Sequence, residues 1–572
     1  MAPGNKHFLD AVANLFGSEK GSDCVIRFYQ EADVLARPKK KHKANKAGAA
    51  DALEGEVFLG TPLPAHRFVL CYSSERFSAQ LERWDNGEQA PPAPSARPST
   101  SSTTPSSSRP ELRIPLASEA EVDSARAAIR FAYTGEVQAG SVREVLEVRR
   151  QAAYLQIEGC AKACDEVLCA MMAAAATAQQ PSDRRGSGAA VQGDPGQQQA
   201  AVLDVYASSS LWPDAGFETV ITAAKQQLVS YFGSTLRVLN TPPLRQQLLA
   251  LPAVAVEALL ESDSFGTDSE SSVLLMLAVW MQANHGKTDA AVRERLCRRV
   301  RLVQLSKPYL SFVLPALAAD YEVSPDTPAG WFPITMPEAA FIAHFAGASD
   351  IDRKRLLEEA EKVSSTYNIR SATYSTAPRV QCVPREGLTM TGYLPQRELE
   401  EKLASLQPGE AAGFFWTMKQ PVVSAQGFEW RIYTNYLHGE SSAGLYLHCY
   451  KPEAYRTLNP RRFTANVPML VSICGRLAVN RWRNGARAGS FSHIYSMGGL
   501  LGTGQAWGNT SAMPLKQLER GAEAGDGGGD AAAGGDREAA GGNQQVLAAW
   551  GEYLHEGKIT GSLTLLSTAG VR

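Results

Sequence analysis

Four stretches of this chain hold almost no large apolar side chain, and they decide how the rest can fold. Residues 86–110 are dominated by Pro, Ser and Thr, 177–200 by Gln, Ala, Gly and Asp, and 521–543 by Gly and Ala; 37–50 are charged and equally poor in apolar bulk. Such segments offer too little surface for burial to offset the chain entropy lost on ordering, so the composition predicts disorder in all four. They need not all mark boundaries. Lengthening a surface loop costs only about 0.6 kcal/mol per doubling, so 37–50, 86–110 and 521–543 read as inserts within domains. Only 177–200 separates two stretches that each look complete.

The 572 residues are material for about three to five domains. The division that emerges is a mixed α/β segment over 1–176, the linker 177–200, a helical segment over 201–325, a helical connector over 326–366 and a β-rich segment over 367–572. Apolar residues at 44% and charged residues at 20% suit a soluble globular protein. A net charge of −2 argues against a uniformly basic nucleic-acid binder, and no direct nucleic-acid contact is expected. No apolar run approaches the roughly 20 residues of a membrane helix. The opening MAPGNKHFLDAVANLF has no basic region followed by a continuous apolar core, so no secretory leader is expected. Nine cysteines, odd in number and irregularly spaced, do not form a disulfide framework. The expectation is a reduced, intracellular, soluble protein with no membrane partner.

Periodicity fills in the elements. Phe8, Leu9, Val12, Leu15 and Phe16 recur at helical spacing. CVIRF reads as a strand and HRFVLCYSSERFSAQLERW as helix, turn, helix. Ser118 and Glu121 have capping-box spacing before a helix that buries Val122, Ala125, Ile129 and Ala132, and Gly135 sits where it should stop. Val142, Val145, Leu146 and Ala153 mark another helix. Further on, VLLMLAVWMQ is apolar all round, as a helix buried in a bundle should be. From about Tyr367, runs such as FEWRIYTNYL, AGLYLHCY, PMLVSIC and ITGSLTLLS predict an antiparallel sandwich.

Catalysis needs a convergent set of polar groups, and none has convincing spacing. Cys160, Cys164 and Cys169 lack paired ligands at zinc-site spacing and read as buried thiols. His66 opens an apolar helix with Asp23 as a plausible neighbour, which favours a hydrogen-bonded structural histidine. Gly499, Gly502, Gly504 and Gly508 sit among β-type runs with no following helix, so a phosphate loop is not expected. His438, His448 and His493 are scattered over β segments. The arginines from Arg293 to Arg301 read as a solvated helix face. The run RPKKKHKANK, with Lys39, Lys40, Lys41 and Lys43, admits three readings: a nuclear-import signal for an importin groove, a solvated charged loop, or a non-specific phosphate contact. No metal and no cofactor is expected.

In order along the chain, GSDCVIRFY, PAHRFVLCYSSERFSAQL, ELRIPL, AIRFAYTGEV and VLEVRRQAAYLQIEGCAKACDEVL resemble a BTB/POZ domain. LLALPAVAVEALLESDSF, SVLLMLAVWMQAN and RRVRLVQLSKPYLSFVL resemble the BACK domain that commonly follows it, and the C-terminal runs are similar to a TRAF/MATH-like sandwich. The three-part order, with a basic insert in the first hairpin, looks most like the plant light-response BTB proteins, which are substrate adaptors of cullin-3 ubiquitin ligases. The resemblance implies a multidomain α+β protein without catalytic groups. It would pair with itself through Phe8, Leu9, Val12, Leu15, Phe16, Asp23 and His66, and bind cullin-3 near Phe77, Leu81 and Trp84. It would hold an unknown protein substrate through another domain, and act in the nucleus, with the cytoplasm as a second location. After Trp84 the chain runs Asp85-Asn86-Gly87-Glu88, where the family carries a hydrophobic-x-Glu motif.

Overall fold

The computed structural model describes residues 3–30, 57–86, 109–178, 200–213, 215–363, 368–455, 469–495, 500–516 and 547–567. The inserts read at 37–50 and 521–543, nearly all of 86–110 and 177–200, and Lys39, Lys40, Lys41 and Lys43 lie outside the described residues. The chain divides into two compact units, 1–227 and 228–572.

The first unit runs α1 (Pro3–Ala13), β1 (Cys24–Gln30), β2 (Val57–Ala65), α2 (Arg67–Ser73), α3 (Glu75–Asp85), β3 (Glu111–Pro115), α4 (Val122–Thr134), α5 (Val142–Tyr154), α6 (Cys160–Ala178) and α7 (Ala201–Ala207). β1 is central in a three-stranded sheet, antiparallel to β2 and parallel to β3. Its alternate residues Cys24, Ile26 and Phe28 are buried, the period that one covered sheet face requires. The charged insert therefore does fall between two paired strands. Ser74 breaks the helical hairpin: its backbone is extended, and its Oγ accepts from Phe77 N–H at 3.2 Å and donates to the Leu155 carbonyl at 2.6 Å. Gly135 ends α4 in the left-handed conformation (φ 68°), as its position suggested.

Two expectations need correction here. α1 stops at Ala13, and Leu15 and Phe16 lie in the turn that follows, ahead of Gly17 at φ 71°. The helical spacing continued past the last residue able to hold the helix. Ser118 makes no side-chain cap; a 3-10 turn, Glu119–Glu121, comes first, and the Glu121 carboxylate takes the Ala117 amide at 3.0 Å.

α8 (Glu218–Phe232) carries the division between the units. The second unit continues with α9 (Thr235–Leu239), α10 (Pro242–Ala250), α11 (Ala253–Glu261), α12 (Glu270–Asn284), α13 (Ala290–Cys297), a π-helical turn Tyr309–Val313, α14 (Leu314–Val323), α15 (Met336–Gly347) and α16 (Asp350–Val363). α12 is buried on every side, as its all-round apolarity requires.

The β-rich part contains β4 (Leu388–Pro395), α17 (Gln396–Ala404), β5 (Ala411–Phe415), β6 (Thr417–Met418), β7 (Val423–Ala425), β8 (Phe428–Leu437), β9 (Ser442–Tyr450), β10 (Leu470–Val471), β11 (Gly475–Arg483), β12 (Ala486–Tyr495), β13 (Leu501–Gly502), β14 (Ala506–Pro514), β15 (Leu554–His555) and β16 (Lys558–Leu565). One sheet is ordered β12-β11-β16-β4-β6 with β15 beside β16, the other β14-β9-β8-β5 with β7 beside β8, and every pairing is antiparallel. Alternation is clean in β8, where Phe428, Trp430, Ile432, Thr434 and Tyr436 are buried and the residues between them are not.

The helical and β-rich parts of this unit interlock. Asn240, closing α9, accepts from Ser424 N–H at 2.8 Å and donates to the Ser424 carbonyl at 2.7 Å, so a helix end acts as a strand partner for β7. Asp268 accepts from Gln426 N–H at 2.6 Å, and Ser272 Oγ accepts from Gly427 N–H at 3.0 Å. The arginines read as a solvated face are structural instead. Arg295 and Arg299 share Glu257, Arg298 grips Glu338, and Arg301 grips Asp263. Arg293 and Arg301 are buried. Counting charges along a helix could not reveal acidic partners on neighbouring helices.

Candidate functional site

The residues singled out in the first unit converge on the start of α2. Asp23, just before β1, accepts from Arg67 N–H at 2.8 Å, so its carboxylate satisfies an amide that the helix leaves unpaired at its N-terminus. His66 is buried beside it but bonds elsewhere. Its Nε2 lies 3.0 Å from the Lys20 carbonyl, and its Nδ1 lies 3.4 Å from Tyr133 Oη. Nε2 therefore carries the hydrogen and Nδ1 faces the phenol. The His66 amide donates to the same phenol oxygen at 3.0 Å, and burial pushes the Tyr133 hydroxyl well up from its ordinary value. With both nitrogens engaged, the histidine braces the fold.

The apolar residues of α1 and of the turn after it divide. Phe8 and Leu9 are exposed, at 58% and 47%. Phe16 turns inward, its ring 5.6 Å from Tyr133 edge-on and 5.8 Å from the Arg130 guanidinium. On α2, Phe68 and Tyr72 form an edge-on pair, centroids 5.4 Å apart, on the side opposite buried Val69 and Leu70. Tyr72 is 81% exposed. The sequence signal for this pair was present, an i, i+4 spacing inside an apolar helix, but a helix apolar on both sides looks merely buried.

The three residues assigned to the cullin surface also separate. Phe77 and Leu81 are each 1% exposed and form the inner face of α3, so a partner could not reach them on the intact fold. Trp84 alone is exposed. Just beyond it Asp85 is held by the Arg67 guanidinium, which ties the end of α3 to the start of α2.

Of the three cysteines expected as buried thiols, Cys169 is only half-buried on α6. Cys160 and Cys164 are buried in α6, with the Cys160 thiol pushed up first by its hydrogen bond with Cys164 and then by burial. No cluster of His, Cys, Asp and Glu suited to a metal occurs among the described residues. Gly502 and Gly508 belong to strands, and Gly504 to the turn between them. His438 follows β8, His448 lies on β9 and His493 on β12, in the other sheet, so they form no common pocket.

No curated protein gives a significant match to the chain. Residues 239–314 match the family model BACK, described as BTB And C-terminal Kelch. The match begins at the last residue of α9 and ends where α14 begins, across the helices whose leucine-rich and V-x-x-W segments carried the resemblance. It supports placing this chain among the BTB/BACK proteins.

Proposed function

We propose that the chain is a non-catalytic adaptor of a cullin-3 ubiquitin ligase, which pairs with itself through the first unit and presents a protein substrate held by the C-terminal sheets. The observation that carries this reading is the exposed apolar set Phe8, Leu9, Phe68 and Tyr72 in a chain that also has a BACK match. A contiguous exposed apolar patch marks a contact surface, and Phe68 and Tyr72 pack ring against ring. The strand–helix-hairpin arrangement that carries them accords with a BTB domain.

Ubiquitin transfer would then be accelerated by proximity, worth several kcal/mol, with no chemistry done by this chain. Trp84 and the exposed end of α3 are the surface offered to the cullin. Lys39, Lys40, Lys41 and Lys43 would direct the protein to the nucleus through an importin. Replacing all four by alanine should move a fluorescent fusion to the cytoplasm, and an unchanged nuclear signal would leave them a plain charged loop.

A pull-down with the N-terminal region of cullin-3 tests the central claim: the wild type should be retained and Trp84→Ala retained less. A dimer that fails to bind leaves a second reading, a BTB-paired scaffold or transcriptional co-regulator without a ligase. One contact favours that reading. Asp85, where the family places its hydrophobic-x-Glu loop, is engaged by Arg67 within its own chain.

A further inference from the structure

The tip of the β11–β12 hairpin gathers positive charge around a single carboxylate. Every residue from Arg483 to Ser490 is exposed. Glu552 is fixed beside the tip, because its carbonyl accepts from Trp482 N–H at 2.7 Å. The Arg481 guanidinium grips its carboxylate, and Oε1 also lies 3.4 Å from Lys516 Nζ and 3.7 Å from Arg483 Nη2. The Glu552 side chain is 14% exposed, whereas those of Lys516 and Arg483 are 66% and 67% exposed. Arg487 stands opposite Trp482 across the hairpin and has no acidic partner among the described residues. The next acid along the chain, Glu556, lies 3.9 Å from Lys558.

One carboxylate cannot neutralise this set. Lys516 and Arg483 stand further from Glu552 than the roughly 2.7–2.9 Å of a charge-assisted hydrogen bond, and both cationic heads reach water. Because both lie against the same oxygen, their nitrogens are at most 7.1 Å apart, the two distances laid end to end. A second carboxylate that accepts one such bond on each oxygen spans a gap of that size.

We propose that the hairpin tip binds an acidic segment of a partner protein, one of whose carboxylates bridges Arg483 and Lys516. Glu552 already shows these cations converging on a carboxylate. A single-stranded nucleic acid would add stacking on an aromatic ring, but Trp482 stacks on His555, with centroids 3.9 Å apart and planes at 14°. The chain's own residues between Lys516 and Leu547 include acids, but these are spaced among glycines, whose ordering costs the most backbone entropy. The inference rests on the reading of the C-terminal sheets as the capture module and names the chemistry of its cargo.

Fluorescence anisotropy of labelled decaglutamate with the full-length protein tests it, at about 50 mM salt, which leaves charges in contact largely unscreened. Decaglutamate should bind saturably and decaserine should not. Arg483→Ala with Lys516→Ala should weaken binding about tenfold. Arg370→Ala with Arg397→Ala, which removes the same charge from exposed positions elsewhere, should stay within about twofold. Glu552→Gln frees the cations from their own carboxylate and should tighten binding severalfold, a gain that misfolding could not produce. The proposal is overturned by no saturation at about 1 mM peptide, by equal losses in the two double variants, by unchanged or weaker binding in Glu552→Gln, or by tighter binding of a single-stranded oligonucleotide of equal length. A gain of about tenfold on removing residues 521–543 would overturn it too, by giving the tip to a tethered segment of the same chain. Cullin capture by the same preparations separates the two claims. Capture without decaglutamate binding removes only the acidic-segment site, whereas decaglutamate binding without capture removes only the ligase.

Discussion

Arg379 and Glu270 form an ion pair, Nε to Oε2 3.1 Å, with side-chain exposures of 0% and 3%. The pair joins the segment leading into β4 to the first residue of α12. Burying two charges costs several kcal/mol per ion unless every polar atom is engaged, and here they are engaged. The Arg379 guanidinium donates to the carbonyls of Leu260 at 2.7 Å and Ser262 at 2.9 Å, and Glu270 Oε1 accepts from Arg301 N–H at 2.8 Å. Arg379→Met should cost about 3–5 kcal/mol by stranding the carboxylate, read as a lowered urea midpoint. Adding Glu270→Met should recover part of that loss. A double variant no more stable than the single would show that the pair does not account for the cost.

Asn240 should matter through its amide group alone. Its two ends match the donor and acceptor of Ser424, and Oδ1 also takes Gln420 Nε2 at 2.6 Å. Asn240→Asp turns a donor into an acceptor against the Ser424 carbonyl. It should cost about 1–3 kcal/mol, at least as much as Asn240→Ala, in thermal melts. Equal stability of wild type and Asn240→Asp would contradict the bonding described.

The exposed face of α1 and the turn after it should respond differently to charge. Phe8→Asp with Leu9→Asp places carboxylates on an exposed face, so the variant should stay folded while light scattering reports a monomer. Phe16→Asp removes the ring that packs against Tyr133 and puts a charge in a half-buried place, and should instead lower thermal stability, by about 2 kcal/mol or more. A dimer that survives the first pair of substitutions would remove α1 from the pairing surface.

Where burial follows a simple period, the sequence could be read directly. β1, the helix hairpin broken at Ser74, all-round apolar α12 and alternating β8 all satisfy their own pattern locally. What stayed hidden depends on partners distant in sequence. The arginines on and after α13 need Glu257 and Glu338, and Ala153 proved exposed while its neighbour Ala152 is buried. The β11–β12 hairpin carries a local signal of its own. Asn484 and Gly485, at φ 51° and 74°, form the turn that this dipeptide favours between strands. Of the site residues, the motif located Asp23 and His66 at one helix end, but only packing separates exposed Trp84 from buried Phe77 and Leu81.

Two carboxylates of the second unit should shape acid stability with opposite signs. Glu552 is held below its ordinary value of 4.5, first by its hydrogen bond from Arg481, with Lys516 and Arg483 adding their charges. A depressed carboxyl stabilises the fold fully above its unfolded value, and that contribution disappears as pH falls through the lower folded value. Asp268 is raised from 3.8 by burial, partly offset by its hydrogen bonds with Ser272 and the Gln426 amide. In the window just above 3.8 the unfolded chain releases this proton before the folded one does, so stability declines there as pH rises. Glu552→Gln should therefore lower the melting temperature near neutrality and converge on wild type well below pH 4.5. Asp268→Asn, which keeps an oxygen acceptor for Gln426 N–H, should flatten the decline above 3.8. Melting curves across the acid range decide both, and a Glu552→Gln deficit that persisted undiminished at the acid end would show that its loss is one of packing, not of charge.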